Sequence, residues 1–489
     1  MTNNHYGIHS PPNFIIDGLQ FSRGATTSMD NHDGLSSRRE LLKRSGSVGS
    51  AAVLVALAGC TGDTNSGDGG GGDDGGGSDT TGSSGDGDGE VEYAPIEFWS
   101  KEQQAERRQV ITPIVDEFDQ ADVQAEFFDE DNIPEELSAA RAAGDLPNIL
   151  QVQAQTIQNL GSEDLLSTES AQAVMESIGM DDLRDGALDF MSTPEGDHFA
   201  VPHDGWVQGI WYRKSKFDEL GLPEPTTWEN IQEAAEALHD PDNNQYGIGL
   251  GTENANFTRQ AFTPFAISNG ARVFNEDGEI VFDSPEMVEA LEYYVDLAQN
   301  YGHPGKHVYD ATRQTYVNEN SHMIMWSSYI IDDLLEAGMA DDTAFAPYVR
   351  RETDASYGQV TGFGITASGD EAAQRTAEAF TEYMFQPDQY VEWLHMAPGG
   401  MQSVRQSVSE SDAYQDNEVL NEWEDTVATI SSALDNVQRF GFVNGQSIPA
   451  FGQIASQLIV AEAVVRVYEG EDAETVASEQ AEAMRQAIE

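Results

Sequence analysis

Acidic side chains far outnumber basic ones in this chain of 489 residues, 86 Asp and Glu against 24 Lys and Arg, giving a formal charge of -62. They recur from Glu92 to Glu489 instead of gathering in a tail, so nearly every element of the fold must keep a carboxylate-bearing face in solvent. Such a surface repels itself in dilute solution. In concentrated salt the Debye length falls to about 3 Å at 1 M and the repulsion is screened. Acidity on this scale, with only five lysines (Lys43, Lys101, Lys214, Lys216 and Lys306), reads as the surface of a protein from a salt-loving cell. Nucleic acid is excluded as a partner and a polyanionic solute is disfavoured, because the clustered Lys and Arg that would neutralise phosphates are missing. With 39% hydrophobic residues at this length, two or more domains with a sizeable core are expected.

The run Ser37-Arg38-Arg39-Glu40-Leu41-Leu42-Lys43 precedes a mildly apolar stretch from Val48 to Ala58, which leads into Gly59-Cys60. Basic, apolar, small is the order of an export signal. Arg38 and Arg39 resemble a twin-arginine signal, and Leu57-Ala58-Gly59-Cys60 resembles a lipobox, in which the cysteine becomes the lipidated first residue of the mature protein. Residues 1–60 are therefore expected to be a twin-arginine lipoprotein signal peptide, with Met29 a more ordinary start than Met1. The apolar stretch falls short of the roughly 20 residues a spanning helix needs. Residues 61–95, nearly all Gly, Asp, Ser and Thr as far as Glu90, are expected to be a disordered linker. Together these place the protein on the extracellular face of the cell membrane, held by lipid on Cys60. Cys60 is also the single cysteine, which excludes an intrachain disulfide.

Order is expected from Ile96-Glu97-Phe98-Trp99, an alternating strand. A helix over 104–119 follows, with Ile111, Ile114, Val115 and Phe118 on one face. Val123 to Phe128 and Asn148 to Val152 read as strands around a helix over 135–143, a pattern that predicts an α/β lobe with a largely parallel sheet. The sequence changes character over 201–214, where glycines and aromatics predict a segment carrying the chain between lobes. Thr226 with Glu229 suggests a capping box, and Ser284-Pro285-Glu286 a helix start. Strands are expected at Ala271 to Phe274 and Ile280 to Phe282, as a hairpin, and at Met323 to Trp326 and Thr361 to Ile365. Helices are expected over 371–385 and 452–488.

Pro202-His203-Asp204-Gly205-Trp206, running through Ile210-Trp211-Tyr212-Arg213-Lys214 to Leu222-Pro223-Glu224-Pro225-Thr226-Thr227-Trp228, resembles the sugar-binding, maltose-binding-protein-like group of extracellular solute-binding proteins of ABC importers. Met323 to Ser327, Gly362 to Ala367 and Gly399 to Arg405 add to the resemblance, which covers essentially the whole folded chain of what would be a haloarchaeal lipoprotein. Ser403 stands where proline is commoner, and Trp211 where leucine or phenylalanine is usual. The resemblance implies two α/β lobes joined by crossing strands, with a ligand cleft between them that closes on binding. Lobe 1 would hold residues 96–205 and 366–404, and lobe 2 residues 206–365 and 405–489.

The implied function is capture of a neutral mono- or oligosaccharide and delivery to ABC permease subunits in the membrane, by a monomer without cofactor. A sugar presents apolar C–H faces to aromatic rings and hydroxyls to carboxylates and amides. Trp99 ends the first strand, where open α/β sheets place ligands, and is the first candidate. Trp206, Trp326, Phe363, Asp131, Asp204 and Arg405 complete the candidate set, although each has a structural reading as core, solvated face or salt bridge. A polyol, a glycerol-phosphate-like solute or a peptide is the alternative ligand. Glycoside hydrolases also use paired carboxylates in sugar clefts, but no pair stands out here, so no enzymatic activity is expected. The histidines, including His303 and His307, lack convincing metal-ligand spacing, and no phosphate-binding loop is present to make this chain the importer's ATPase.

Overall fold

Ile96 and Phe98 point one way from the first strand into the core, and helices pack over that apolar face. β1 (Ile96–Ser100) leads to a helix at Ala105–Asp116 that buries Ile111, Ile114 and Val115. β2 (Val123–Phe127) then returns parallel to β1. The helix Ile133–Ala143 ends at Gly144, whose φ of 73° is the left-handed conformation glycine adopts without a Cβ penalty. β3 (Ile149–Gln153) follows on the other flank of β1, again parallel. The computed structural model describes residues 92–488 apart from Asp131 and Pro194. The signal and lipobox residues Arg38, Arg39 and Cys60, and the candidate Asp131, lie outside the described residues.

β4 (Val201–Arg213) organises the rest. β5 (Met323–Ser327) and β6 (Thr343–Ala346) pair antiparallel with its second half, Gln208 to Arg213. β7 (Val349–Arg350) and β8 (Asp354–Ala355) form a small separate hairpin before β9 (Tyr357–Ile365). β9 pairs with β3 through Thr361 to Ile365 and with the first half of β4 through Tyr357 to Phe363. β10 (Gln402–Ser403) covers the other edge of β4 at Asp204 and Gly205. The sheet order is β10-β4-β9-β3-β1-β2, with β5 and β6 attached to β4. One strand thus belongs to two halves, flanked by β9 and β10 at its start and by β5 and β6 at its end.

Some sequence-based expectations need correction. Thr227, not Thr226, caps the helix Trp228–Leu238, its hydroxyl accepting the Asn230 N–H at 3.1 Å, so the Thr226–Glu229 box does not form. The hairpin after Ala271 contracts to a turn with a single bridge between Phe274 and Ile280, because Asn275 folds its side chain back onto the N–H groups of Asp277 and Glu279. The expected C-terminal helix is three helices, Phe451–Ser456, Ile459–Tyr468 and Ala473–Ala487. Leu458, at φ 55°, breaks the first junction, and Gly470, at φ 99°, lies in the second. Among the described residues no helix is long and apolar enough to cross a membrane.

The crossing strand leaves no room for growth at Gly209, where a Cβ would come 2.3 Å from the Ala346 carbonyl oxygen of β6. Gly209→Ala is expected to destabilise the protein by about 1 to 3 kcal/mol through this overpacking. The check is the denaturant midpoint in molar KCl, which should fall with little change in slope.

Candidate functional site

The three parallel strands end on the same side, and their trailing residues form one wall of a cleft of about 400 Å³. The Ser100 hydroxyl donates to Gln151 on β3 at 2.8 Å and accepts the Glu102 N–H at 3.1 Å, which fixes the turn out of β1. Glu102 is fully buried by this turn and accepts ion pairs from Lys101, at 2.5 Å, and from Arg107 on the following helix. Burial alone would raise the Glu102 pKa, but the two cations outweigh it and hold the carboxyl below its usual range. Burial likewise works against the Lys101 charge, and Glu102 prevails with help from Tyr329, Asp204 and Glu130, so the ammonium pKa is raised. Gln103 donates to Asp129 at 2.8 Å beyond β2, and Gln153 closes this wall at the end of β3.

The floor is the shared strand pair. Antiparallel partners point to the same face, and the register sets Asp204 opposite Thr361, Trp206 opposite Gln359, and Gln208 opposite Tyr357. Trp206, Gln208, Gln359 and Thr361 line the cleft. The alternate positions are Gly205, Val207, Gly358 and Val360, and they face the packed side. A Cβ on Gly358 would lie 2.5 Å from the Trp206 carbonyl oxygen and 2.7 Å from Val437.

The opposite wall comes from the other half. The helix Asn256–Ser268 contributes Asn256, Phe257, Arg259 and Gln260, β5 contributes Ser327, and Tyr309, Tyr329 and Arg439 complete it. Arg439 is held against the start of β9 by the Gln438 N–H on the Ser356 carbonyl, at 2.9 Å. The Arg107 guanidinium lies 5.5 Å from the Tyr329 ring centre, a cation–π contact that reaches from wall to wall. Several buried atoms of this lining have no hydrogen-bond partner: both amide atoms of Gln208, Nε2 of Gln359, Nη1 of Arg259, and Nε and Nη1 of Arg439. Each such group costs about 1 to 3 kcal/mol while unpaired, and more if charged. A second hollow, of about 620 Å³, adjoins at Arg439 and is lined by Asp189, Phe190, Phe274, Glu276 and Phe442 among others.

Of the residues singled out from sequence, Trp206 lines the cleft, with its ring 6.4 Å from that of Tyr329 and 5.7 Å from that of Tyr357. Trp326 is fully buried one layer back, 4.0 Å from Tyr309 and 4.8 Å from Phe257 between ring centres, so it backs two lining rings. Asp204 is buried at the end of the floor, on the strand face of Trp206 and Gln208, where its carboxylate takes the His203 Nδ1 at 3.0 Å. Burial works against its charge, yet the His203 hydrogen bond and the charges of His203 and Lys101 hold its pKa down. Trp99 is not among the cleft-lining residues: it packs 4.6 Å from Phe128 and donates its indole N–H to Glu97 at 2.6 Å. Phe363 lies in the core among Phe98, His203, Phe385 and Trp393. Arg405 pairs with Asp182 at 2.8 Å and donates to the Phe385 and Ile178 carbonyls. Among the described residues no three His, Cys, Asp or Glu side chains could hold a metal ion.

Lys101, Glu102, Arg107, Gln208, Arg259, Tyr309, Tyr329, Gln359 and Arg439 were not singled out. One signal for part of this set is present in the sequence. Asp204-Gly-Trp-Val-Gln208 and Tyr357-Gly-Gln-Val-Thr361 share one alternation, polar or aromatic on one face and Gly or Val on the other.

The cleft thus lies at the carboxyl ends of the three parallel strands β1, β2 and β3 and is floored by the antiparallel pair β4 and β9, a place where α/β folds hold ligands. The profile of the family described as bacterial extracellular solute-binding protein matches residues 110–422. A protein of Escherichia coli K12, YcjN, named as an ABC transporter periplasmic-binding protein, is 30% identical over 380 residues, covering 77% of this chain and 88% of its own. A mannitol-binding protein of Pseudomonas aeruginosa is 28% identical over 223 residues, 44% of this chain and 51% of its own. Among solved structures, the ABC transporter solute-binding protein of Thermotoga lettingae bound with α-D-tagatose matches with a TM-score of 0.64 and 20% identity over 81% of this chain and 100% of the other. That of Agrobacterium radiobacter in complex with ribitol gives 0.65 and 18% over 81% and 99%. The chain belongs to the extracellular solute-binding protein family. It is the substrate-binding component of an ABC import system, acting outside the cytoplasmic membrane.

Because the Glu102 pKa is depressed in the folded state, its contribution to stability is complete above the unfolded carboxylate value of about 4.3 and is lost as the pH falls through the lower folded value. Glu102→Gln leaves Lys101 and Arg107 without their counter-ion and is expected to destabilise the protein at pH 7. The loss should lie near the lower end of the roughly 3–5 kcal/mol typical of a broken buried pair. The variant should also flatten the acid limb of the stability profile, measured by denaturant titration from pH 7 to 3 at constant KCl. An unchanged acid limb would contradict this assignment.

Proposed function

We propose that this chain captures a sugar or polyol outside the cell and hands it to a membrane permease. The observation that carries the reading is the set of buried, unpartnered amide and guanidinium atoms on Gln208, Gln359, Arg259 and Arg439, facing one cleft beside Trp206, Tyr309 and Tyr329. Hydroxyl groups both donate and accept, so one polyhydroxylated ligand satisfies amide oxygens and N–H groups alike while its C–H faces rest on the rings. The relatives named for mannitol, tagatose and ribitol support the same solute class.

In this reading residues 96–205 with 366–404 form one lobe, and residues 206–365 with 405–489 the other. They hinge where β4 and β9 cross, and closure reports occupancy to the permease. Trp206 stacks on the ligand, Trp326 backs the rings that touch it, and Asp204 steadies the end of the floor. The protein acts as a monomer at the surface of a salt-loving, haloarchaeal cell. It is exported through its Arg38-Arg39 signal and anchored by lipid on Cys60, with residues 61–95 as the tether.

Thermal shift in molar KCl against hexoses, polyols, oligosaccharides and short peptides tests the solute class. A sugar or polyol at about 100 times its Kd stabilises the folded state by about 2.7 kcal/mol and should raise the midpoint by a few degrees. Trp206→Ala should abolish the shift while leaving the unliganded midpoint within a few degrees. Stabilisation by peptides alone would overturn the assignment. For the anchor, Cys60→Ser is expected to release the protein from membranes into the medium; retention of that variant on the membrane would contradict lipidation.

A further inference from the structure

Arg259 and Arg439 are 5% and 6% exposed, and among the described residues neither forms an ion pair, in a chain with 86 carboxylates. Several arginines find a counter-ion, as Arg107, Arg213, Arg313 and Arg405 do with Glu102, Asp342, Asp333 and Asp182, while Arg272 donates to the Ile267 and Ala271 carbonyls. Arg259 donates to the neutral Asn256 side-chain oxygen, through Nε at 2.9 Å and also through Nη2, which leaves Nη1 unpartnered. Arg439 has neither Nε nor Nη1 engaged.

Aromatic faces hold both groups in place. Arg259 lies 5.7 Å from the Phe451 ring centre, and Arg439 lies 5.6 Å from that of Tyr357 and 5.9 Å from that of Phe442. A cation–π contact orients a guanidinium without cancelling its charge or satisfying its N–H groups. Both side chains line the same cleft. Burial lowers the Arg259 pKa; the charge and hydroxyl of the neighbouring Tyr357 oppose that effect, and the positive charge of Arg439 adds to it.

Nearby carboxylates are otherwise engaged. Glu102 is taken by Lys101 and Arg107, and Asp129 accepts from Gln103 on the far wall. In the adjoining hollow Asp435 pairs with Arg184, while Asp189 and Glu276 make no ion pair with Arg439. A desolvated, uncompensated cation is strongly unfavourable, and two lining one cleft are more so. One anionic group can serve both, since a carboxylate has about four acceptor sites and suits the planar guanidinium fork.

We propose that the solute is an acidic sugar, a polyhydroxylated carboxylate of the uronic or aldonic acid class, whose carboxylate sits between Arg259 and Arg439 while its hydroxyls meet Gln208 and Gln359. This deepens the sugar-receptor reading and rests on it. The two arginines are far apart in sequence, so no basic cluster advertises such a ligand there.

The test is calorimetric titration of the full chain in molar KCl, where long-range attraction is screened and a buried pair much less so. The probes are glucuronate, galacturonate and gluconate, their neutral parents glucose, galactose and sorbitol, and glucose 6-phosphate. At least one carboxylate is expected to bind about 100-fold or more tightly than its neutral parent. Arg439→Gln and Arg259→Gln should each weaken the carboxylate about 100-fold and weaken the neutral parent much less, so that the preference for acid over parent falls at least about tenfold. Arg439→Lys, which keeps the charge but not the fork, should fall in between.

If a glutamine variant fails to fold, the wild-type comparison of acid with parent decides alone. Equal affinity for acid and parent overturns the proposal and leaves the sugar receptor standing. Preference for the phosphate over every carboxylate overturns the carboxylate assignment. Binding of none of these probes overturns both readings.

Discussion

The pairing of β4 with β9 is the constraint on which the rest of the molecule depends. Two strands shared by both halves must present a dry face to helices and a wet face to solute. The residues divide accordingly, with Gly205, Val207, Gly358 and Val360 on one side and Trp206, Gln208, Gln359 and Thr361 on the other. Side chains at the glycine positions would collide with Leu434, Val437 and the partner backbone, so close packing behind the floor is built into the sequence. Strands confined in this way serve as a platform, and the cleft inherits its position from them.

On that platform the walls differ in character. The wall from the strand ends is electrostatically closed, since Glu102 is matched by Lys101 and Arg107 and the turn is fixed by Ser100 and Gln151. The facing wall is open in the same sense, because among the described residues Arg259 and Arg439 form no ion pair. A receptor of this kind gains affinity from groups that are costly to leave buried alone, and the ligand relieves that cost.

Much of the fold is legible in the sequence because it rests on local periodicity. The short apolar runs of β1, β2 and β3 and the helices between them stand out without tertiary knowledge, and the aromatic-rich crossing segment marks β4. The errors were local as well: Thr227 took the cap expected at Thr226, and Leu458 in the left-handed region broke a helix whose apolar spacing gave no warning. The cleft was harder to read. Trp206 was visible as an aromatic in the crossing segment, but Trp326 turned inward behind Tyr309 and Phe257, and Trp99 found a ring and a carboxylate within its own half. Gln208 and Gln359 reach the cleft floor only because their strands are central in the sheet, and Arg259 and Arg439, 180 residues apart, come to one cleft only through the fold.

The most direct measurement of the central claim is a crystal structure of the protein with a bound sugar, polyol or sugar acid. The account predicts ligand over Trp206, with ligand oxygens within about 3.2 Å of the Gln208 amide and of the free nitrogens of Arg259 and Arg439. Ligand seated instead in the adjoining hollow against Asp189 and Phe274, with Gln208 still unpartnered, would contradict it.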